Sequence, residues 1–373
     1  MPSPLPATSR DGLFIGLMSG TSADAVDAAL VQVSPGQAKV MALHSLPLPD
    51  TVHDRIVDLN RPVPQDLDRL YRLDVELGEL FADTVERLLD AERLDRRRII
   101  AIGSHGQTIR HRPHLGFSTQ IGRPDLIALR TGIDTVADFR NRDVALGGQG
   151  APLLPRVHQA LLAKAGERRV VLNLGGMANI TLLDGEALVG GFDTGPANVL
   201  LDAWHRQHRG GRFDPDGAWA ASTSPDPLLL QRLLNDDYFC LPPPKSTGRE
   251  HFSLDWLQHR LVGTESAATV QATLAQLTCQ SVVDAIGSFA PARLIVCGGG
   301  VFNRQLMTGL QQLLPQAEVE SVAVHGLDPM AVEAAAFAWF AWAHLNRIPA
   351  NAPQVTGASG PCILGALHPG HRP

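Results

Sequence analysis

A polar loop near the start of the sequence combines small hydroxyl residues, a glycine and two carboxylates. Residues 14–33 read FIGLMSGTSADAVDAALVQV, so this loop lies between two strongly apolar runs. Backbone amides and hydroxyls in such a loop can cradle a phosphate, with Asp24 or Asp27 beside the magnesium ion that accompanies it. The alternative is a hairpin whose hydroxyls satisfy only their own backbone. The loop is not a Walker loop, because it lacks the lysine of that pattern.

A further carboxylate, Asp193, stands in the stretch GFDTGPANVLL, where an apolar run ends before a Gly-Pro turn and a helical pattern. Side chains at strand ends project into the clefts of α/β proteins, which suits a general base. An aspartate before such a turn is also a common helix N-cap. Position alone leaves both interpretations open.

Two glycine-rich loops also follow apolar runs. RRVVLNLGG leads through Gly175, Gly176 and Asn179 into NITLLDG, and EALVGGFD follows after a tight turn. In ARLIVCGGGVFNRQLM, an apolar run, three glycines and a helical pattern succeed one another. Glycines let a ligand approach the backbone, and a helix N-terminus favours anions. Equally, consecutive glycines can form a tight turn with positive φ.

Apolar periodicity predicts the elements that hold these loops. LFIGLM and AALVQV predict a strand hairpin, RRVVLNLGG and NITLLDG predict a second one, and RIIAIGSHGQ predicts a strand. Helices are predicted near 67–91, from about Leu153, over NVLLDAWH with Pro196 near its first turn, over ATLAQLTCQSVVDAIGSF and over DPMAVEAAAFAWFAWAHL. FDPDGAWA and LPPPKSTGRE predict surface loops. Alternating strands and helices predict an α/β fold with two like, hairpin-led halves facing a cleft.

Composition excludes several classes of protein. With 373 residues and 44% hydrophobic content, the chain can bury the cores of two domains. A net charge of −6 argues against a nucleic-acid surface. The N-terminal stretch MPSPLPATSR has no apolar core for a signal peptide, and the most apolar stretch, VEAAAFAWFAWAHL, is shorter than a membrane span. The four cysteines are scattered without a CxxC pair, which predicts neither disulfides nor zinc. A cytoplasmic protein with a small-molecule ligand is expected.

A series of stretches occurs in the order typical of one known family. They are GLMSGTSADAVDAAL, SHGQT, TGIDTVADFRNRDVALGGQGAPL, LNLGGMANIT, GFDTGPANVLLDAW, PPKSTGRE and CGGGVFNRQLM. Together they cover nearly the whole chain, which resembles the anhydro-N-acetylmuramic acid kinase family of the actin, sugar kinase and Hsp70 superfamily. Ala23, Ala25 and Ala197 depart from the family pattern, as does GRPD at 122–125 in place of GDGA. The changes at Ala23 and Ala25 leave Asp24 and Asp27 in place, and the departures together concern loop geometry more than chemistry.

The resemblance implies two actin-like (ribonuclease H-like) domains with ATP and substrate in the cleft between them. Residues 1–165 with 330–373 would form the first domain, with the phosphate loop and part of the sugar site, and 166–329 the second, with Asp193 and an adenosine-contacting glycine loop. The implied enzyme uses ATP and magnesium to open the 1,6-anhydro ring of 1,6-anhydro-N-acetylmuramic acid with water and to phosphorylate O6. Its products are N-acetylmuramic acid 6-phosphate and ADP, in peptidoglycan recycling. A homodimer is also implied.

The family motifs assign roles to individual residues. Asp193 matches the catalytic base, and Asp24 and Asp27 are the magnesium candidates. The residues assigned to ATP are Gly20, Thr21, Ser22, Ala23, Asp24, Ala25, Val26, Asp27, Gly175, Gly176, Asn179, Gly298, Gly299 and Gly300.

Substrate contacts are expected from His105, Arg140 and Glu333. His105 directly follows an apolar run, whereas His111 and His114 are interpreted as ordinary surface histidines without a carboxylate to complete a metal site. Arg140 would pair with the lactyl carboxylate of the sugar.

Each of these assignments has a structural alternative. Arg140 could instead form a surface ion pair with Asp138 or Asp143, and Glu333 could simply favour its helix N-terminus. Lys245 and Arg249 lie in a Pro-rich loop that either closes over ligand or stays solvated.

Two competing functions remain open. One is a kinase of the same superfamily that acts on another amino sugar. The other is an ATP-gated binding protein resembling actin or Hsp70, which would need a peptide groove or polymer contacts.

Overall fold

The computed structural model describes residues 10–20, 23–61, 63 and 66–371. The chain forms two compact units. Unit 1 comprises residues up to Leu161 together with those from Ala331 onward, and unit 2 comprises Leu162–Met330.

The strands are numbered along the chain as follows: β1 Gly12–Met18, β2 Ala25–Ser34, β3 Gln37–Pro47, β4 Ile99–Ser104, β5 Gln107–Arg112, β6 Phe117–Ile121, β7 Thr135–Ala137, β8 Arg168–Leu174, β9 Met177–Asp184, β10 Ala187–Pro196, β11 Arg293–Cys297, β12 Glu318–Ser321 and β13 Ala366–His368.

The α-helices are α1 Asp50–Asn60, α2 Leu67–Ala91, α3 Pro124–Thr131, α4 Asn141–Ala145, α5 Leu154–Leu162, α6 Asn198–Arg209, α7 Pro227–Leu234, α8 Asp237–Cys240, α9 Leu254–Gln258, α10 Ala267–Ile286, α11 Arg304–Leu313, α12 Val332–Leu345 and α13 Pro353–Thr356. None of the helices in the described part of the chain is long and apolar enough to span a membrane.

Each unit is built on a sheet with the same plan. In unit 1 the strand order is β13-β7-β4-β1-β2-β3, and in unit 2 it is β10-β9-β8-β11-β12. In both, the first three strands along the chain form an antiparallel meander: β1, β2 and β3 in unit 1, and β8, β9 and β10 in unit 2. Two further strands then add parallel to the first one: β4 and β7 in unit 1, and β11 and β12 in unit 2. Helices accompany both sheets, so the predicted α/β class is confirmed, with two units whose sheets begin with a strand hairpin.

The long helix α12 near the C-terminus packs directly on the sheet of unit 1. It is apolar on all sides and almost wholly buried, as a helix inside a core must be. A Cβ on Gly16 of β1 would overlap the carbonyl oxygen of Ala334, and one on Gly103 of β4 would overlap that of Phe337. These two glycines therefore allow the close approach that places the start of α12, with Glu333, in unit 1.

Some local expectations need correction. RIIAIGSHGQ is not one strand: β4 ends at Ser104, Gly106 adopts a φ of +72°, and β5 begins only at Gln107. FDPDGAWA is not simply a surface loop, because the buried Asp214 accepts hydrogen bonds from the backbone N–H groups of Trp219 and Ala220, both at 2.9 Å. All four cysteines are free.

Candidate active site

The polar loop between β1 and β2 is a hairpin tied to the neighbouring segment. Ser19 Oγ donates to Gln107 Oε1 at 2.7 Å, and Gln107 Nε2 donates to the Gly20 carbonyl at 3.3 Å. The turn closes where Ala23 N–H donates to the same carbonyl at 3.1 Å, and Ala23 lies in the left-handed region with a φ of 53°. Of the residues predicted to hold phosphate, Thr21 and Ser22 lie outside the described residues.

The two carboxylates of this hairpin differ in environment. Asp24 is exposed at the end of the loop, whereas Asp27 is half-buried in β2. Burial raises the pKa of Asp27, and a hydrogen bond with Ser45 partly offsets the rise. Ala25 and Val26 lie between them at the start of the strand, and Val26 is part of the core.

Arg140 is held inside unit 1 by contacts with His105 and Gly150. Its Nε and Nη2 lie 3.2 and 2.9 Å from Nε2 of His105, and Nη1 donates to the Gly150 carbonyl at 2.8 Å. Within the described residues neither Asp138 nor Asp143 pairs with it, so the alternative of a surface ion pair is wrong. These contacts use three of the five N–H donors of the guanidinium, a group that can pair with a carboxylate through two parallel hydrogen bonds.

His105 is a neutral acceptor for Arg140. Burial, and then the charge of Arg140, lower the pKa of His105 to about 3. Its Nδ1 lies 2.8 Å from the Gly106 carbonyl, which fixes the proton on Nδ1 and leaves Nε2 to accept from Arg140. The imidazole also packs on the Phe337 ring, with 4.8 Å between centroids. Direct contact of His105 with sugar stays a prediction, and the geometry gives the ring a role in orienting Arg140.

Glu333 belongs to the same cluster. Burial lowers the pKa of Arg140 to about 10, and the negative charge of Glu333 opposes this effect. Glu333 is in the first turn of α12, whose N-cap residue, Ala331, provides no side-chain cap. Both the cleft-facing role and the helix N-terminal role predicted for Glu333 are compatible with this position.

A fully buried carboxylate, Asp143, supports the loop that contacts Arg140. It accepts hydrogen bonds from Gly150 N–H at 2.8 Å, Asn351 Nδ2 at 2.9 Å and Thr356 Oγ1 at 2.8 Å. The Gly150 carbonyl that receives Arg140 is thereby fixed. The sequence suggests Asp143 only as an ion-pair alternative and does not predict this role, because Asn351 and Thr356 lie 208 and 213 residues away along the chain.

A polar cavity of about 230 Å³ opens beside this cluster in unit 1. His105, Ser118, Gln120, Asp138 and Asn141 contribute to its lining. Its hydroxyl, amide and carboxylate groups suit a ligand with many hydroxyl groups.

Two further histidines of this segment, His111 and His114, belong to no cluster of metal-ligating side chains in the described part of the chain. His111 is half-buried, with Nδ1 2.9 Å from Ser118 Oγ, and His114 is exposed. His111 is therefore less superficial than the sequence predicts.

Asp193 is a half-buried carboxylate on the edge strand β10 of unit 2. Its Oδ2 accepts a hydrogen bond from the Thr247 N–H at 3.0 Å, and its carbonyl accepts one from the Tyr238 hydroxyl at 2.7 Å. Burial raises the pKa of Asp193 to about 6, and the Thr247 hydrogen bond partly offsets the rise. The following helix, α6, has Ala197 at its N-cap position and no side-chain cap, so the alternative of a capping aspartate is wrong.

Asn179 lies beside Asp193 in the sheet. It pairs with Asp193 on one side and with Asn173 of β8 on the other. Opposed residues of antiparallel strands project to the same face, so the three polar side chains form a row across β10, β9 and β8. Asn179 is therefore placed next to the candidate base and not in the glycine turn, and the sequence analysis missed Asn173.

The three glycines of the CGGG loop differ in whether the surrounding structure leaves space for a side chain. Gly298 has a φ of +81°, and a Cβ there would overlap Asn173 Oδ1, so a tight turn explains it. Gly300 packs closely on Leu174, where a Cβ would overlap the side chain. A Cβ on Gly299, by contrast, would meet no heavy atom within 4 Å. Both readings of this loop therefore have support, and only Gly299 has open space above its backbone.

Gly175 and Gly176 form the turn between β8 and β9. Their carbonyls accept from the first backbone N–H groups of the α6 segment, with Asn198 N–H donating to Gly175 and Val199 N–H to Gly176 at 3.1 and 3.0 Å. An added Cβ at either glycine would make only ordinary contacts. Backbone geometry alone therefore does not require glycine in this turn.

A larger cavity of about 440 Å³ lies within unit 2 and includes Gly299 in its lining. Phe213, Phe302 and Met330 supply exposed apolar surface, and Asn198, Asp202, Asp214, Asp216 and Asn303 supply polar groups. Apolar walls with a few convergent hydrogen-bonding groups are typical of sites for a nucleoside.

The carboxylates Asp24 and Asp27 can be compared with the ligands that Mg²⁺ prefers. Across residues 10–20, 23–61, 63 and 66–371, no three His, Cys, Asp or Glu side chains cluster as a ready-made metal site. Mg²⁺ usually takes one or two carboxylates and completes its shell with water and substrate phosphates. The hairpin carboxylates Asp24 and Asp27 therefore fit Mg²⁺ that arrives with a nucleotide.

A family model and individual relatives of known description match nearly the whole chain. A family model described as anhydro-N-acetylmuramic acid kinase matches residues 12–370. The anhydro-N-acetylmuramic acid kinase of Shewanella amazonensis is 50% identical over 363 residues, which cover 96% of this chain and 98% of that protein. The protein of the same description from Xanthomonas campestris pv. campestris is 51% identical over 373 residues, covering 98% and 99%.

Among solved structures, the activator of 2-hydroxyisocaproyl-CoA dehydratase from Clostridium difficile with bound ADPNP aligns with a TM-score of 0.47. It is 11% identical to this chain and the alignment covers 88% of this chain and 94% of that one. The family match and the two relatives at about 50% identity agree with the sequence motifs. The chain belongs to the anhydro-N-acetylmuramic acid kinase family.

Proposed function

We propose that this chain opens the 1,6-anhydro ring of 1,6-anhydro-N-acetylmuramic acid with water and transfers the γ-phosphoryl group of ATP to O6. The oxygen of water bonds to C1 as the bond from C1 to O6 breaks. O6 bonds to the γ-phosphorus as the bond to the β-phosphate oxygen breaks. The products are N-acetylmuramic acid 6-phosphate, ADP and one proton.

The single observation that carries the proposal is the environment of Asp193. Burial raises its pKa to about 6, and the Thr247 N–H holds one carboxylate oxygen at 3.0 Å. A carboxylate of this kind is ionised at neutral pH yet far more basic than a solvated aspartate, which is what removal of a proton from water requires. Asp193 therefore takes the proton as water attacks C1.

Arg140 supports recognition of the muramic acid lactyl group. Its guanidinium is oriented by His105 and Gly150, and a guanidinium can pair with a carboxylate through two parallel hydrogen bonds. The polar cavity of unit 1 offers hydroxyl and amide partners for the hydroxyl and N-acetyl groups of the sugar. A kinase for a neutral sugar would have no use for a guanidinium held in this way.

The hairpin loop between β1 and β2 supports binding of the ATP phosphates. Gln107 fixes Ser19 and the Gly20 carbonyl, so the backbone of the loop is organised before ligand arrives. Asp24 and Asp27 would hold magnesium, which neutralises charge on the phosphoryl oxygens when bound. The 440 Å³ cavity of unit 2 would take the adenosine, with Gly299 against its edge.

A coupled ADP-release assay across a panel of sugars tests the proposal. We expect ATP-dependent turnover with 1,6-anhydro-N-acetylmuramic acid, and much weaker turnover with the 1,6-anhydro sugar that lacks the lactyl group. Equal rates with N-acetylmannosamine or glucose would identify a kinase for another sugar. ADP release stimulated by unfolded peptide instead of sugar would favour the ATP-gated binding protein.

The family resemblance extends the proposal to a cytoplasmic homodimer. Light scattering coupled to gel filtration measures the mass of the assembly against the 40.0 kDa of one chain. A mass near twice that value is expected, and a mass near 40 kDa would refute the dimer.

A further inference from the structure

The segment 241–250, LPPPKSTGRE, lies against the candidate base. It has no helix or strand, and its first residues are exposed. Two hydrogen bonds nevertheless join it to β10: Asp193 N–H donates to the Lys245 carbonyl at 3.2 Å, and Thr247 N–H donates to Asp193 Oδ2 at 3.0 Å. The position of this segment therefore decides whether the carboxylate has a donor and how far it is shielded from water.

Lys245 fastens this segment to the short helix α8. Its Nζ donates to the carbonyls of Tyr238 and Phe239 at 3.1 and 3.3 Å. The ammonium also lies 4.7 Å from the centre of the Tyr238 ring, a cation–π distance. The hydroxyl of the same tyrosine donates to the Asp193 carbonyl at 2.7 Å. One ammonium thus joins the segment to a ring that itself contacts the base residue.

A buried polar atom lies at the same place. The Thr247 hydroxyl is buried and has no hydrogen-bond partner within the described part of the chain. A buried hydroxyl without a partner is costly unless a ligand supplies one. Since the backbone of this residue touches the Asp193 carboxylate, its hydroxyl is close to where a water or sugar hydroxyl would be bound.

We propose that Lys245 is a positioning residue for Asp193: it latches the segment 241–250 onto α8, so that the Thr247 N–H meets the carboxylate and water is kept from it. The proposal rests on the function proposed for Asp193 as general base. Without the latch, the segment leaves β10, and the carboxylate loses both its donor and its shield.

The variant Lys245→Met tests this inference, because it removes the ammonium and keeps an apolar side chain of similar length. We expect kcat to fall by about tenfold or more, since small misplacements of catalytic groups cost up to about 100-fold, with the KM for ATP unchanged. Lys245→Arg should restore most of the rate, because a guanidinium can reach the same carbonyls. Lys164→Met, at an exposed lysine of unit 2 that pairs with Glu167, is the matched control and should leave kcat unchanged.

The pH profile separates positioning from a merely structural role. Burial is the largest cause of the raised pKa of Asp193, so freeing the segment should move the acidic limb of kcat to lower pH. Tyr238 and Lys245 are the titratable groups described here that face Asp193, and Tyr238 keeps its place in the variant. A kcat loss with an unmoved acidic limb, or with a limb at higher pH, would overturn the proposal. So would unchanged kcat with a raised KM for the sugar, which would make Lys245 a ligand contact.

Carboxyl ¹³C NMR gives a readout that needs no turnover. The Asp193 resonance is identified by its absence in Asp193→Asn and titrated in the wild type and in Lys245→Met. A lower pKa in Lys245→Met supports the latch even if the sugar assay fails, whereas the same pKa refutes the latch even if the kinase proposal holds. Failure of one proposal is thus distinguishable from failure of the other.

Discussion

Replacing Asp193 by asparagine should abolish turnover and at the same time stabilise the folded protein at neutral pH. Asparagine keeps an oxygen that can accept the Thr247 hydrogen bond but cannot take a proton from water. Loss of a general base typically lowers the rate by about 10²–10⁴. The stability effect follows from the same burial that makes the carboxylate basic.

The size of the stability effect follows from the pKa. The pKa of Asp193 is about 6 in the folded protein, against an ordinary value of 3.8. The folded state therefore binds this proton more tightly than the unfolded state, so stability present below pH 4 is lost as the pH rises through 6. The full difference corresponds to at most about 3 kcal/mol. Asparagine does not titrate, so the variant avoids this loss.

The assay compares thermal melting of the wild type and Asp193→Asn at pH 4 and pH 8. Nearly equal melting temperatures are expected at pH 4, and a higher value for the variant at pH 8, by up to roughly 6–12 °C for a cooperative unit of this size. Asp184→Asn, at an exposed ion-paired aspartate of the same hairpin, should change neither turnover nor this difference. A variant less stable than the wild type at pH 8, or one with normal turnover, would refute the reasoning.

Three further predictions follow from individual contacts. Arg140→Ala should raise the KM for the sugar at least about tenfold and leave the KM for ATP unchanged. The control Arg142→Ala, at an exposed neighbouring residue, should change neither KM. An unaltered KM for the sugar in Arg140→Ala would make Arg140 a structural residue. Gly299→Val should fold normally, because a Cβ at this position meets no heavy atom within 4 Å. The variant should bind ADP at least about tenfold more weakly in calorimetry, with Gly190→Val as the control. Equal ADP affinities of the two variants would remove Gly299 from the nucleotide site. Gly16→Ala should lower stability by about 1–3 kcal/mol or more in urea unfolding, because its Cβ overlaps the backbone of α12, and an unchanged midpoint would contradict this packing.

The sequence predicts the elements well where apolar periodicity is long or a turn is tight. Helix α2 covers Leu67–Ala91, as predicted, because the Asp66 side chain caps its first turn and buried residues recur on one face. The two hairpins at β1–β2 and β8–β10 form as their apolar runs predict. The end of β4 at Ser104, inside the predicted strand RIIAIGSHGQ, is followed by the positive φ of Gly106, which periodicity does not reveal.

The sequence predicts the chemistry of the site less completely than its location. Asp193 and Arg140 stand out from motifs, but their environments depend on residues distant along the chain. Arg140 is held by His105, and Asp193 by Thr247, which are 35 and 54 residues away. Neither partner could be recognised by spacing, although both lie in stretches, SHGQT and PPKSTGRE, that carry the family resemblance.

Turnover in ¹⁸O-labelled water is the most direct test of the central claim, that Asp193 directs water to C1 of the anhydro sugar while O6 accepts the phosphoryl group. Purified enzyme is given ATP, magnesium and 1,6-anhydro-N-acetylmuramic acid in H₂¹⁸O, and the product is fragmented by mass spectrometry before its anomers exchange. Attack of water on C1 should place one ¹⁸O at C1 and none in the phosphate. Label in the phosphate, or a product without label at C1, would contradict it.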